Sequence, residues 1–143
     1  MTIKGLKELK AKLKGYEKQV DAKTRFVLDN VARKMANSAK ERINAHESKG
    51  KPYKRGKNTH YASVAGAFPN ADSGNLVSNI FSELLQGRKP AAKFGVRAGV
   101  PYSYALEFGS DRLAARPFIR PTYNKFKKDI IKDLENELKK IIK

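Results

Sequence analysis

The strongest constraint on this chain is a helical repeat that fills its first third. Ile3, Leu6, Leu9 and Leu13 recur three or four positions apart, and after Gly15 the pattern resumes with Tyr16, Val20, Val27, Val31, Met35, Ala39 and Ile43. Such steps place these side chains on one stripe of an α-helix, while Lys10, Lys14, Lys18, Lys34 and Glu41 take the other stripe. Residues 3–45 are therefore predicted helical. They form either one helix bent at Gly15, where glycine costs ~1 kcal/mol against alanine, or a short arm over residues 2–14 followed by a main helix. About forty residues is long for a helix in a small domain. The arm carries only four large apolar residues, so its expected packing partner is a neighbouring subunit rather than its own core.

A second amphipathic stretch closes the chain, from about Pro117 to Ile142. Tyr123, Phe126, Ile130, Leu134, Leu138 and Ile141 recur at three and four, widened by Ile119, Ile131 and Ile142, with Lys125, Lys128, Asp133, Glu137 and Lys140 on the polar side. Mixed-sign charges and the lack of tryptophan make core packing, not membrane contact, the expected use of this face. Between the helices, Asp72 and Ser73 are candidate caps for a short helix, on which Leu76 and Ile80 share a face. Phe81–Gln86 and Lys93–Ala98 read as paired strands joined by Gly87-Arg88-Lys89-Pro90, and Gly95 and Gly99 point to a bulge or a close backbone approach. Two strands alone are too few for stability, and the long helices can back them. The expected fold is α+β: a small antiparallel sheet packed against a long N-terminal helix and a C-terminal helix, all in one domain spanning residues 1–143, with its core and C-terminal helix in residues 72–143.

Charge narrows the functional classes. Thirty-one basic residues against 14 acidic ones give a net charge of +17, which draws a protein toward polyanions without naming one. Part of that charge lies in residues 46–71, where periodicity gives way to glycine, proline, asparagine and serine. Lys49, Lys51, Lys54, Arg55 and Lys57 cluster there, interleaved with Tyr53 and Tyr61. This segment is expected to be a flexible basic loop. It either contacts DNA phosphates or a protein partner, or is simply solvated; no base-reading motif accompanies it. Absence of cysteine removes disulfides and thiolate metal sites. His46 and His60 have few carboxylates near them in sequence, and the acidic residues are scattered, so no metal, cofactor or catalytic residue is expected. No apolar run is long enough to span a membrane, and MTIKGLKELKAKLKG lacks the apolar region of a signal peptide, so a cytoplasmic product is expected.

The stretch Pro101–Pro121, PYSYALEFGSDRLAARPFIRP, reads as a short buried segment stopped by Gly109, then a polar corner, then the first turn of the final helix, where proline is tolerated. Glu107 stands in otherwise apolar surroundings with Arg112, Arg116 and Arg120 ahead of it. A half-buried carboxylate needs a partner, and the expected one is the guanidinium of Arg116 or Arg120.

Three pieces of sequence occur in order: Ser73-Gly74-x-Leu76, then Tyr104-Ala105-Leu106-Glu107-Phe108-Gly109-Ser110, then Arg116-Pro117-Phe118-Ile119-Arg120-Pro121. Together they resemble the gene-product-ten-like tail-component family of tailed bacteriophages and prophages, over roughly residues 72–125. The flanking helices match in type and place. The resemblance implies a non-enzymatic structural protein of the virion, made in the host bacterial cytoplasm and placed at the head–tail junction. It implies a ring, six copies in the assembled particle, that meets neck or connector proteins and tail-tube proteins around an axis along which DNA passes. Two positions suit it, tail terminator and neighbouring neck (tail-completion) protein. The residues carried over are Ser73, Gly74, Leu76, Tyr104, Ala105, Glu107, Gly109, Arg116, Pro117, Phe118 and Pro121, as structural positions. A runner-up function is sequence-independent nucleic-acid binding through the basic loop.

Overall fold

The computed structural model describes residues 5–142. The N-terminal repeat forms one unbroken helix, α1 (Leu6–Asn44, 39 residues), about 58 Å long at 1.5 Å per residue. Gly15 does not divide it, because the leucine, lysine, alanine and glutamate residues around it are strong helix formers that outweigh one glycine. Ile3 and the start of the expected arm lie outside the described residues. Residues 46–71 correct the expectation of a structureless loop. They contain an antiparallel hairpin, β1 (Pro52–Arg55) and β2 (Asn58–Tyr61), in register from Pro52↔Tyr61 to Arg55↔Asn58.

The short helix α2 (Asn75–Asn79) begins at Gly74 without a side-chain cap. The expected caps are otherwise engaged or distant: Asp72 faces Arg55 and His60, and Ser73 Oγ lies a long 3.4 Å from the Asn75 N–H. Strands β3 (Ile80–Leu85) and β4 (Ala91–Val96) pair antiparallel from Ile80↔Val96 to Leu85↔Ala91. They start one and two residues earlier than predicted. This register sets Ile80 opposite Val96 and turns both, with Phe94, toward the helices. The ladder carries no bulge at Gly95, whose partner is Phe81. The two hairpins are separate two-stranded sheets, so the expected single small sheet is β3–β4.

Helix α3 (Tyr102–Phe108) and helix α4 (Ile119–Ile142) complete the chain. Helices α1 and α4 run antiparallel: Lys23 meets Glu137 at 2.9 Å near one end, and Lys125 Nζ approaches Ser38 Oγ at 3.5 Å near the other. Their shared seam buries Val27, Val31 and Met35 against Phe126, Ile130 and Leu134. Further along α1, Ala36, Ala39 and Ile43 join Phe68, Leu76, Ile80, Val100 and Phe118 in the main cluster, and Phe94 touches both groups. The core is thus built entirely on the second half of α1.

Candidate interaction surfaces

The corner between α3 and α4 is where the segments 73–76, 104–110 and 116–121 meet. Helix α4 opens with Phe118 in the capping position, a side chain with no oxygen to offer. The first four N–H groups of a helix need outside acceptors. Glu107, at the end of α3, supplies them: Oε2 accepts from the N–H groups of Phe118 and Ile119 at 2.8 Å each, and Oε1 from Arg120 at 2.9 Å. The fourth group is absent, since the next residue is Pro121. One carboxylate therefore satisfies every free donor of α4, and its charge also opposes the positive end of the helix dipole. This corrects the expected ion pair with arginine. Arg116 instead donates Nε to the Ser63 carbonyl and Nη1 to the Ala114 carbonyl, both at 3.0 Å. Arg120 spreads over the Phe108 ring, 5.9 Å from its centroid.

Other bonds lock the same corner. The Arg116 N–H donates to the Leu106 carbonyl at 2.6 Å, and Gly66 N–H to Ala115 at 2.8 Å. Gly109 ends α3 at φ 83 with its N–H on the Ala105 carbonyl at 2.9 Å. A Cβ there would stand 3.2 Å from both the Ala115 nitrogen and the Leu113 oxygen, so the glycine predicted as a stop is required by both backbone angle and space. Thr122, buried, donates Oγ1 to the Phe118 carbonyl at 2.6 Å. Phe118 itself is 0% exposed and packs with Leu76 and Leu106. Ser73, Gly74 and Leu76 line a hollow of about 270 Å³ with Tyr102 and Leu106. Pro117, half-buried, leads into the cap.

The expectation that Tyr104–Phe108 is buried does not hold. Helix α3 has no fully buried residue; Tyr104 is 70% and Phe108 56% exposed, their rings 4.8 Å apart. With Ser103, Phe118, Ile119 and Tyr123 they line an apolar cleft of about 420 Å³ between α3 and α4. A second exposed apolar surface runs along the first half of α1, where Leu6, Leu9, Leu13, Tyr16 and Val20 continue the stripe that the core buries from Val27 onward. Leu9 and Leu13 are 54% and 58% exposed.

The basic segment forms the third surface. Along the hairpin, side chains alternate between faces. Tyr53, Arg55, Asn58 and His60 share one face, where Tyr53 stacks on His60 with centroids 5.6 Å apart. Asp72 pairs there with Arg55 and lies 3.6 Å from His60 Nδ1. Burial, and then the Asp72 charge, push the Tyr53 hydroxyl above its ordinary pKa. Lys54, Thr59 and Tyr61 share the other face, and Lys49 Nζ lies 5.7 Å from the Tyr61 centroid. Lys51 is exposed at the base and Lys57 at the tip. Of the five predicted contact residues, only Arg55 has an ion-pair partner among the described residues.

Sequence reasoning missed the devices that hold this hairpin to the body. Asn70 Nδ2 donates to the Ser48 and Tyr61 carbonyls at 2.7 and 3.0 Å, one on each leg. Arg42, over the face of Phe68, makes a two-pronged pair with Glu47 at 2.8 and 2.7 Å. The paired hydrogen bonds hold the Glu47 carboxyl below its usual range and raise the Arg42 guanidinium. On α4, Lys140 and Lys23 together draw the Glu137 carboxyl down. Among the described residues, no three acidic or histidine side chains gather as a metal-binding group, and no helix is long and apolar enough to cross a membrane. No family model, curated protein or solved structure matches the chain.

Proposed function

We propose that this protein is a structural, non-enzymatic component of the head–tail junction of a tailed phage or prophage particle. It works there as a ring, six copies in the assembled virion, between neck and tail-tube proteins, and DNA passes along the ring axis. The observation that carries the reading is the divided stripe of α1. From Val27 onward it is core; from Leu6 to Val20 the same stripe is exposed. A soluble chain that folded only for itself gains nothing from five large apolar side chains on a projecting helix, whereas a chain that seats this helix on its neighbour gains an interface. The meeting of the three family-like sequence pieces at one corner also supports it. That corner fixes α3 and α4, whose cleft is an apolar surface of a size suited to receive a partner's side chains.

The test is deletion of the gene from a particle-producing genome, followed by electron microscopy of the lysate. Separate filled heads and finished tails are the expected result for a neck protein, and tails of uncontrolled length for a terminator. Joined particles of normal tail length in normal number would refute the reading. A variant carrying Leu9→Asp and Leu13→Asp is expected to fail to restore joined particles.

A further inference from the structure

We propose that the outward face and tip of the β1–β2 hairpin form a binding site for the phosphate backbone of duplex DNA. The hairpin is electrostatically two-sided. Its inward face spends its one cation, Arg55, on Asp72, and stacks Tyr53 on His60 above the same carboxylate. Its outward face, base and tip present Lys54, Lys49, Lys51 and Lys57, and none of these has an ion pair among the described residues. The nearest carboxylate in sequence, Glu47, is already held by both prongs of Arg42. Four uncompensated charges are thus held on one anchored ribbon, because Asn70 ties both legs and Asp72 fixes which face looks out.

The chemistry of this face favours phosphates over the other polyanions. Lysine is depleted from the cores of protein–protein interfaces, and apart from Tyr61 and Pro52 the hairpin's outward surface has no apolar residue to centre one. A membrane surface holds a basic segment stably only when a second, apolar anchor enters the bilayer, and the hairpin has none. A two-stranded ribbon, by contrast, fits the major groove, which is about 12 Å wide. From Lys51 at the base to Lys57 at the tip the ribbon extends about 16 Å, some five steps of about 3.3 Å before the chain turns back, enough to reach phosphates on both walls. The outward face carries no arginine, asparagine or glutamine, whose planar groups read base edges in fixed pairs of hydrogen bonds, and its lysines act as flexible point charges, so the binding proposed is to phosphates and independent of sequence. The inference stands apart from ring assembly: the isolated chain carries the whole site.

Fluorescence anisotropy with a labelled random-sequence duplex, measured from 50 to 200 mM salt, tests it. Because the whole chain is basic, the comparison is between two variants of equal charge. One replaces Lys49, Lys51, Lys54 and Lys57 by Gln; the other replaces Lys127, Lys128, Lys132 and Lys139 on α4 by Gln. The hairpin variant is expected to flatten the slope of log K against log salt by about 3.5 and to weaken binding at 100 mM salt by about 100-fold or more. The α4 variant is expected to lose less than about 10-fold. Arginine at the four hairpin positions restores the wild-type slope. Equal losses in the two Gln variants, or an unchanged slope in the hairpin variant, overturn the proposal. So does a hairpin variant that binds duplex normally but has lost binding to vesicles containing anionic lipid. The four lysines are exposed and have no ion pair among the described residues, so an unchanged circular-dichroism melt confirms that the comparison is between folded proteins.

Discussion

Replacing Glu107 by alanine tests the central claim about the corner. The substitution removes all three acceptors from the start of α4. Phe118 is 0% exposed and Ile119 half-buried, so water cannot fully replace the carboxylate on their N–H groups, whereas the N–H of exposed Arg120 can be hydrated. A buried donor left unpaired costs about 1–3 kcal/mol, and loss of a capping interaction by itself about 0.5–2 kcal/mol. Taking one hindered donor fully and a second in part gives about 3 kcal/mol for Glu107→Ala. For a domain of this length that corresponds to a fall of roughly 10 °C in the melting midpoint, read by circular dichroism. Glu107→Gln keeps one acceptor oxygen and loses the charge facing the helix dipole, so about half the loss is expected. Arg120→Gln distinguishes the cap from an ion pair: the cap uses only its backbone N–H, its side chain meets only the exposed Phe108 ring, and its midpoint is expected to stay within about 2 °C of wild type. A Glu107→Ala protein that melts with the wild type, or an Arg120→Gln protein that melts as low as Glu107→Ala, would refute the capping argument.

Three further outcomes follow from the same geometry. Leu9→Asp with Leu13→Asp is expected to leave the melting midpoint within about 2 °C, since both side chains are already exposed, and, under the proposed role, to abolish particle joining; a strongly lowered midpoint would place this part of α1 in the subunit's own core. The Glu47 carboxyl is depressed below its ordinary value of 4.5, so its pairing stabilises the fold above that pH and is lost as pH falls through the lower folded value. Acid titration of stability should therefore fall off more steeply in the wild type than in Glu47→Gln, with a difference at neutral pH of about 0.5 kcal/mol because the pair is exposed. Gly50→Ala would bring a Cβ to 2.8 Å from the Ala62 carbonyl oxygen; the base of the hairpin must open, and hydrogen exchange at residues 52–61 should quicken by about 10-fold or more with α1 and α4 unchanged.

What could be read from the sequence depended on how much of each element faces apolar surroundings. Helices α1 and α4 were legible because their stripes are long, and β3–β4 because Phe94 and Val96 alternate with small or charged neighbours. The hairpin β1–β2 was not, because both of its faces are exposed and no alternation survives: Pro52 to Arg55 are all solvent-facing. The remaining signal was Arg55-Gly56-Lys57-Asn58 between tyrosine- and threonine-bearing runs. Gly56 holds φ 62 and Lys57 does not share a positive φ, the glycine-first arrangement of a two-residue hairpin turn. The role of Glu107 was half legible. Its need for a partner was plain from its surroundings, but arginines nearby in sequence drew the assignment away from the backbone. The corrective signal was also present: a helix starting at Pro117-Phe118-Ile119 has no serine, threonine, aspartate or asparagine in the capping slot, so its acceptor has to come from elsewhere. The exposed aromatics of α3 could not be told from core residues, because apolar spacing alone does not say what covers a face.

The division of α1 also bears on when the proposed assembly would occur. Leu6, Leu9, Leu13, Tyr16 and Val20 are each about half exposed, so completing their burial on a neighbour returns about 1 kcal/mol apiece, or roughly 5 kcal/mol in all. Bringing two subunits together costs about 4–15 kcal/mol in lost freedom of motion before any contact is counted. A single arm seated on a single neighbour is therefore close to break-even, and like-charged subunits at +17 repel one another further. A closed ring changes this balance, because the last contact forms within one assembly rather than between free molecules. In the proposed junction, a docking surface that held several subunits side by side, and an axial polyanion that screened their charge, would act in the same direction. Under the proposed role, the free subunit is expected to be monomeric at micromolar concentration and to close into a ring only on its neighbours in the particle. Light scattering that found stable rings of the isolated protein at low concentration and low salt would show that contacts other than the α1 stripe supply the energy.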